Sequence, residues 1–258
     1  MIAAVATTYN EQDLISKTIS HLLGNGVDRI WCADASTDAT RLLLAQFPQV
    51  TIIDDNYAYH SQPHWIEALT QSAREENAEW VIPFDADEFW YAQDGRTIKE
   101  ALADLPDSTA VCVAAPFQHV DFEHREPDHA AMSKMMFRPT PGITIANGNH
   151  NLGGYDGDLN FETLAIREVM FRSLGHMVEK SALRVERLDP SLPDGDGQHQ
   201  KDIHAMDAAG QAREWEARKA RAAVLDPIPY RGVKVCETCF EISGPGHESY
   251  PCVDRRKW

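Results

Sequence analysis

The sequence predicts an α/β fold in which a mixed sheet is flanked by helices, and three observations point to it. Short apolar runs alternate with segments whose apolar residues recur at helical spacing as far as residue 105. A chain of 258 residues is long enough to bury a full core. Polar clusters follow three of the apolar runs, and parallel sheets bind ligands beyond the carboxyl ends of their strands. We therefore expect a ligand site along one edge of the sheet.

The first part of the chain is expected to contain four strands and the helices between them. Ile2 to Ala6 is the first predicted strand, and Asn10 is placed to cap a helix that ends at Gly24 and Gly26. A short helix follows the turn DASTDAT, and Pro63 can occupy the first turn of a third helix. The remaining strands are predicted at residues 27–33, 50–53 and 80–84.

Beyond residue 105 the pattern changes. Further strands are predicted at residues 111–115, 135–138 and 143–146, and a loop rich in histidine and acidic residues joins the first two. Helices are expected at residues 173–188 and 204–224, with a Pro- and Gly-rich connector at residues 190–200. We expect one domain over residues 1–225, divided near residue 105 into two halves, and a small Cys-rich tail over residues 226–258.

The composition excludes several classes of protein. Lys and Arg number 24 against 40 Asp and Glu, a formal net charge of −16, which argues against sequence-independent binding of nucleic acid. The sequence has no run of eighteen apolar residues, so no transmembrane segment is predicted, and its first residues do not have the pattern of a signal peptide. The five cysteines are an odd set, for which a reduced, cytoplasmic protein is the simplest expectation.

The segment WVIPFDADEFWY carries the most informative motif. Asp85 and Asp87 follow an apolar strand and are two residues apart, so at the strand's end both carboxylates can point the same way. Two hard oxygen ligands suit Mg²⁺ or Mn²⁺, which usually complete their coordination with phosphate oxygens of a substrate. The alternative is a solvated acidic turn with no ligand.

Several motifs together resemble the family 2 glycosyltransferases, whose fold is the Rossmann-like GT-A type. TTYNE is similar to the loop after the family's first strand, DASTDAT to its second motif and DADEFW to its metal-binding D-x-D. The D-A-D-E-F form resembles a subgroup of bacterial and phage enzymes, in which a G-x-H segment and an R-S…K helix follow; NGNH and RSLGHMVEK are similar to these. The resemblance covers about residues 2–185. Thr7 departs from the usual proline, and neither A-R-N-x-G nor a plain x-E-D acceptor motif is present.

The resemblance implies that the first loop and Asp34 hold the nucleoside of a nucleotide-diphosphate sugar. Asp34 would accept a hydrogen bond from the base, with Thr8 or Glu11 near the ribose. A structural role stays open, because Asp34, Ser36 and Asp38 also suit an Asx-turn and a helix cap. The implied donor-binding residues are Thr8, Tyr9, Asn10, Glu11, Asp34, Ser36, Asp85, Arg172 and Lys180.

The resemblance also implies a cation, Mn²⁺ or Mg²⁺. Asp87 would be the direct ligand, with Asp85 reaching the metal through water or contacting the ribose, and His150 would supply a further ligand. Glu88 either supports these ligands or lies at the surface. Arg172 and Lys180 would contact a phosphate or merely pair with carboxylates.

An inverting enzyme needs a carboxylate base near the acceptor hydroxyl. The sequence offers several and does not choose among them: Asp121, Glu123, Asp156, Asp158 and Glu162.

The tail carries a second set of candidate ligands. Cys236 and Cys239, followed by His247 and Cys252, have the residue types and short spacing of a structural zinc site. Free thiols or a disulfide remain the alternative. Cys32 and Cys112 fall in predicted strands and are expected in the core.

The predicted function is metal-dependent transfer of a sugar from a UDP- or GDP-sugar to an acceptor hydroxyl, with the inversion that the family implies. The acceptor is left open among a glycan, a small molecule and a protein. Two alternatives remain. A nucleotidyltransferase of similar topology would normally show a Gly-rich basic loop after the first strand, which TTYNEQD is not. A catalytically inactive sugar-nucleotide scaffold would bind the donor without turnover.

Overall fold

A computed structural model describes residues 1–56, 62–146, 149–188 and 197–233. Its centre is a mixed sheet in which four parallel strands stand in the order β4-β1-β2-β3. Thr8, Asp34 and Asp54 are aligned across three of these strands, so the polar segments that follow them meet at one edge. These strands are β1 (Ile2–Thr8), β2 (Arg29–Asp34), β3 (Val50–Asp54) and β4 (Trp80–Pro83).

Helices cover both faces of the parallel strands, as the apolar periodicity predicts. On one face Ile15, Ile19 and Leu22 are buried with residues of two further helices. On the other face Ile66 and Leu69 pack against the odd-numbered residues of β1. The helices are α1 (Ile15–Gly24), α2 (Thr40–Leu44), α3 (Gln62–Glu75) and α4 (Ile98–Leu102).

The second half extends the sheet with strands of both directions. β8 lies antiparallel between β4 and β6, and β12 pairs with β6 in parallel and with β5 antiparallel. The strands of this half are β5 (Glu88–Ala92), β6 (Thr109–His119), β7 (His124–His129), β8 (Lys134–Phe137), β9 (Thr144–Ile145), β10 (Leu152–Gly153), β11 (Asp158–Asn160), β12 (Leu164–Glu168) and β13 (Val224–Leu225). Of these, β9 and β10 form a separate two-stranded sheet. The mixed α/β, GT-A-like fold class that the sequence predicts is therefore present.

Three helices follow β12. They are α5 (Leu174–Glu186), α6 (Gln198–Ala205) and α7 (Ala208–Arg221). The single helix predicted at residues 204–224 is wrong, because Met206 is extended and Asp207 begins a new helix by accepting a hydrogen bond from the Gly210 amide at 2.7 Å. Within the described residues no helix combines the length and apolar character needed to cross a membrane.

The chain returns to the domain after β13. Asp226 pairs with Arg125 and Arg167, and the Arg231 amide donates to Nδ1 of the buried His21 at 3.0 Å. Burial lowers the pKa of His21 to about 4, so the ring is neutral and can accept that bond. The description ends at residue 233, and the predicted zinc ligands Cys236, Cys239, His247 and Cys252 lie outside it. The separate tail and its zinc site stay predictions.

Candidate active site

The loops after β1 and β2 are joined by side-chain hydrogen bonds. Asn10 accepts from the Thr37 amide at 2.8 Å, the Asn10 amide donates to Ser36 Oγ at 3.0 Å, and the Glu11 amide donates to Thr40 Oγ1 at 2.8 Å. Asn10 has φ 56°, a left-handed conformation that asparagine adopts more readily than most residues. The prediction that Asn10 caps α1 is therefore wrong, since Leu14 occupies the cap and Asn10 joins the two loops.

Asp34 lies at the bottom of these joined loops. Its Oδ1 accepts from Thr8 Oγ1 at 2.8 Å and from Ser36 Oγ at 2.6 Å. The Ser36 amide also reaches Oδ1 at 3.3 Å, so the Asx-turn alternative exists and uses the same oxygen. Nearby, the guanidinium of Arg187 lies 4.0 Å over the ring of Tyr9.

The two aspartates of the D-x-D motif lie in a turn after β4. The Glu88 amide donates to the Asp85 carbonyl at 3.0 Å and closes the turn. Asp85 accepts from Gln62 Nε2 at 2.9 Å and from Lys134 Nζ at 2.6 Å, whereas Asp87 accepts from Lys180 Nζ at 2.7 Å. The carboxylates are therefore held by two different lysines from two other elements.

Two glutamates complete the cluster, and sequence reasoning did not identify Glu168. Glu88 and Glu168 stand directly opposite each other on β5 and β12, and both are buried. Lys134 Nζ lies 2.9 Å from Glu88, and the side-chain amide of Gln118 donates to Glu168. The only signal for Glu168 was its place beside Arg167 after the short apolar run LAI, and the isolated Lys134 before MMF gave none.

Burial and mutual repulsion dominate the electrostatics of this cluster. Burial, followed by repulsion from the nearby Asp87 and Glu88, raises the pKa of Glu168 to about 8. Burial also raises the pKa of Glu88 to about 7, although Lys134 opposes this. For Lys134 itself burial lowers the pKa, but Asp85 and Glu88 more than offset it, so the pKa is raised.

The donor chemistry of this cluster fits a hard divalent cation. When all four are ionised, the two aspartates and two glutamates carry four negative charges, and Lys134 and Lys180 carry two positive charges. One divalent cation would balance the two negative charges that are left. Among the residues that the structure describes, no three His, Cys, Asp or Glu side chains are placed to enclose a metal ion. Binding would therefore require at least one carboxylate to exchange its lysine for the cation.

His150 has the tautomer that a metal ligand needs. Its Nδ1 lies 2.9 Å from the carbonyl of Ser133, and because a carbonyl only accepts, Nδ1 carries the proton and Nε2 keeps its lone pair. Burial lowers the pKa of His150, and the charge of Lys134 lowers it further, so the ring is neutral near pH 7. The preceding Asn147 and Gly148 lie outside the described residues.

Arg172 and Lys180 link the first loop to the D-x-D turn. Lys180 Nζ lies 2.7 Å from Asp87 and 3.1 Å from Glu11. Arg172 binds Asp13 through two hydrogen bonds of 2.6 and 2.7 Å and lies 3.4 Å from Glu11. Arg172 precedes α5 instead of lying in it, since Ser173 is the cap. Of the two roles considered, pairing with carboxylates is the one seen in this structure.

The structure does not gather the five predicted base candidates at the cluster. Asp158 pairs with Thr109 at the start of β6, and Asp156 and Glu162 flank the short strand that Asp158 begins, whereas the cluster lies at the opposite ends of β6 and β12. Asp121 accepts from the amides of Glu123 and His124 at 2.7 and 2.6 Å and so closes the β6–β7 turn. Glu123 is exposed on that turn.

Comparisons with known proteins agree with this architecture. The sequence pattern of the family described as "Glycosyl transferase family 2" matches residues 4–158. No curated protein matches the chain.

Solved structures resemble the chain at low identity. Residues 1–349 of TarS from S. aureus are 14% identical, with a TM-score of 0.45, over 79% of this chain and 69% of that one. A longer TarS structure is 12% identical, with a TM-score of 0.46, and the match covers 81% of this chain and 44% of TarS. Glucosyl-3-phosphoglycerate synthase from Mycobacterium tuberculosis, in complex with Mn²⁺, UDP and glucosyl-3-phosphoglycerate, is 18% identical, with a TM-score of 0.30, over 46% and 44% of the two chains.

Proposed function

The chain belongs to glycosyl transferase family 2 and is a glycosyltransferase that uses a nucleotide sugar, and we propose that it transfers the sugar of a UDP- or GDP-sugar to an acceptor hydroxyl with the help of a divalent cation. One observation carries the proposal. The buried Asp34, the D-x-D aspartates and the basic pair Arg172 and Lys180 meet at one edge of the sheet. This edge would hold a base, a diphosphate and a sugar in sequence.

The donor would lie across the first loop. Thr8, Tyr9, Asn10 and Glu11 would line the nucleoside together with Asp34 and Ser36. Hydrogen bonds between the two loops already fix all of these residues except Tyr9, whose ring lies under the guanidinium of Arg187. Preformed contacts of this kind reduce the ordering cost of binding.

The cation would be held by Asp85, Asp87 and His150, with Mn²⁺ or Mg²⁺ as the candidates. When bound, it would neutralise negative charge on the diphosphate and on the leaving group.

Lys180 and Arg172 would serve the diphosphate. Lys180 Nζ lies between Asp87 and Glu11, where it can donate to a phosphate oxygen once either carboxylate is otherwise engaged. Arg172 is fixed in place by Asp13 and keeps its guanidinium beside Glu11. These residues would orient the leaving group and stabilise its charge.

An inverting attack needs a carboxylate base near the acceptor hydroxyl. Glu168 joins Asp121, Glu123, Asp156, Asp158 and Glu162 as a candidate, since it lies within the cluster and its pKa, raised by burial to about 8, permits proton transfer near neutral pH. The acceptor itself would be a glycan, a small molecule or a protein.

The two alternatives make different demands on the site. A nucleotidyltransferase needs cations at the first loop to grip a triphosphate, but this loop carries Glu11 and Asp13. An inactive scaffold would bind the donor without turning it over. Hydrolysis of the donor sugar in the presence of Mn²⁺ separates the scaffold from the enzyme.

Thermal unfolding with nucleotide diphosphates and their sugars, each with and without Mn²⁺, tests the proposal directly. A ligand present at a hundred times its Kd stabilises the folded state by about 2.7 kcal/mol, which raises Tm measurably. We expect a shift that requires Mn²⁺ and is lost in Asp87→Asn. Absence of any shift from folded wild-type protein would contradict the proposal.

A further inference from the structure

Three large apolar side chains are exposed in and around β11. Tyr155, Leu159 and Phe161 are 36%, 41% and 62% exposed and lie within seven residues of the chain. Leu159 belongs to β11 and Phe161 follows that strand two residues later, a spacing that places both side chains on one side of an extended segment. Single exposed apolar residues are ordinary on a protein surface, whereas a group of them is typical of an interaction surface. We call these three residues the β11 patch.

Acidic side chains surround the β11 patch. Asp156, Asp158 and Glu162 alternate with the patch residues along the chain, and all three are exposed. Residues 139–166 contain no lysine or arginine, and no ion pair joins these three carboxylates to another described residue. The surface therefore combines apolar side chains with negative charge that the described residues do not balance. We call the three carboxylates the acidic border.

The segment VDRRKW at residues 253–258 has the complementary chemistry. Arg255, Arg256 and Lys257 are the only run of three consecutive cations in a sequence of net charge −16, and Trp258 follows them. An indole ring buries a large apolar area, and cations next to it are attracted to carboxylates. The segment lies outside the described residues.

The described part of the chain ends on the side of the domain that carries the β11 patch. The guanidinium of Arg231 donates to the carbonyl of Gly95. Two residues earlier in that turn, the Gln93 amide donates to the carbonyl of Thr163 at 2.9 Å, and Thr163 follows the patch directly in the sequence. The twenty residues that separate residue 233 from the segment can span about 65 Å when extended. The segment can therefore reach the patch.

We propose that the segment at residues 253–258 docks on the β11 patch of its own chain. Trp258 packs on Leu159 and Phe161, and the three cations face the acidic border. Exposed ion pairs contribute little to stability, so the apolar contact supplies most of the affinity and the charges select the surface. Because both partners belong to one chain, the segment is present at a high effective concentration, and a contact of few side chains is sufficient.

The docking surface lies away from the candidate active site. β5 and β12 pair from Glu88 and Glu168, in the carboxylate cluster, to Ala92 and Leu164 at the other end, and the β11 patch precedes Leu164. The inference is therefore independent of the proposed function, and its failure would leave the transferase proposal standing.

Photo-cross-linking from within the β11 patch tests the proposal on the full chain. Phe161 is replaced by p-benzoylphenylalanine, since this side chain is 62% exposed and a larger ring does not enter the core. After irradiation and digestion after glutamate residues, mass spectrometry should find the link in the peptide 249–258 of the same chain. The same amino acid at Leu42, which is 65% exposed on α2, is the matched control and should give at least tenfold less of this link.

Charge reversal separates docking from chance contact. Arg255→Glu combined with Arg256→Glu should lower the yield of the link at least fivefold, because the new carboxylates repel the acidic border. Adding Asp156→Lys and Glu162→Lys, both at exposed positions, reverses the border as well and should restore the yield to within twofold. Trp258→Ser should lower the yield at least fivefold without any change of charge. Thermal unfolding verifies that each variant is folded.

Hydrogen exchange of proteins without the cross-linker gives a second measurement. The backbone amides of residues 155–161 should exchange faster in the Arg255→Glu, Arg256→Glu variant than in the wild type, because the segment no longer covers them. A link to residues 253–258 within one chain that follows the charges supports the inference. A link found only between two chains assigns the surface to a second copy and overturns it. Absence of the link, a link that no substitution weakens, or equal exchange rates also overturn it.

Discussion

Glu168→Gln is expected to change how stability depends on pH. Burial, followed by repulsion from Asp87 and Glu88, raises the pKa of Glu168 from 4.5 to about 8. Between these values the folded state keeps a proton that the unfolded chain has released, so the wild type loses stability as pH rises from about 4.5 to about 8. The glutamine side chain of the variant is neutral throughout and can still accept from Gln118, as Glu168 does. The variant should therefore gain on the wild type as the pH increases.

The size of the gain follows from the shift. Each pKa unit corresponds to 1.36 kcal/mol, so a shift of about 3.5 units limits the effect to roughly 5 kcal/mol if Glu168 titrates alone. Between about pH 5.5 and about pH 8.5 the expected change in the difference between variant and wild type is about 3 kcal/mol. Glu88, whose pKa is also raised, shares the titration and would reduce this figure.

Urea denaturation of metal-free protein at a series of pH values measures the effect. Glu162→Gln is the matched control, because Glu162 is exposed and lies just before the start of β12, whereas Glu168 ends that strand. Its stability curve should run parallel to that of the wild type. If the Glu168→Gln curve also runs parallel, Glu168 is ionised at neutral pH in the folded protein, and the electrostatic description of the cluster is refuted.

Four further predictions concern the site, the core and the tail. Asp87→Asn should abolish Mn²⁺-dependent donor hydrolysis, at least a hundredfold by initial rates, while Tm without ligand stays within a few degrees; retained Mn²⁺ dependence would remove Asp87 from the metal site. Lys180→Met should lower the free energy of unfolding by about 2 kcal/mol, which is less than the roughly 3–5 kcal/mol for a fully buried pair because Lys180 is 25% exposed. In a double-mutant cycle, the variant that combines it with Asp87→Asn should lose less stability than the two single variants together. Ile19→Ala, at a fully buried core position, should cost about 2–5 kcal/mol in urea unfolding. Purified protein should contain one zinc per chain by mass spectrometry and lose it in a Cys236→Ser, Cys239→Ser variant; zinc-free wild type would favour free thiols or a disulfide.

The local sequence predicted the first half of the fold because its signals act over short range. The spacing of Ile15, Ile19 and Leu22 makes one apolar face of a helix, and that face is buried on the sheet. Strands joined by such helices run parallel, so the segments after β1, β2 and β4 had to meet at one edge. The D-x-D and Asp34 positions could be predicted for that reason.

Elements whose pairing comes from distant residues were harder to predict. β7 reads HREPDH and has no apolar alternation, so only its neighbours β6 and β13 make it a strand. Asn10 has the residue type of a helix cap, but its backbone is left-handed and its side chain bonds to the following loop. In both cases a contact between residues that are far apart in the sequence overrides the conformational preference of the local sequence.

Local patterns were enough to predict the class of the fold, the succession of its first strands along the chain and the edge at which the motifs gather, because periodicity and chain direction suffice for these. The composition of the site depends instead on how strands that are distant in the sequence pair with one another. Glu168 faces Glu88 through the register of β12 on β5, and Lys134 reaches Asp85 because β8 runs antiparallel between β4 and β6. Register depends on the whole set of pairings, and shifting it by one residue turns each side chain to the other face of the sheet. A single charged residue in an apolar strand therefore carries no sign of its partner until the strands are paired.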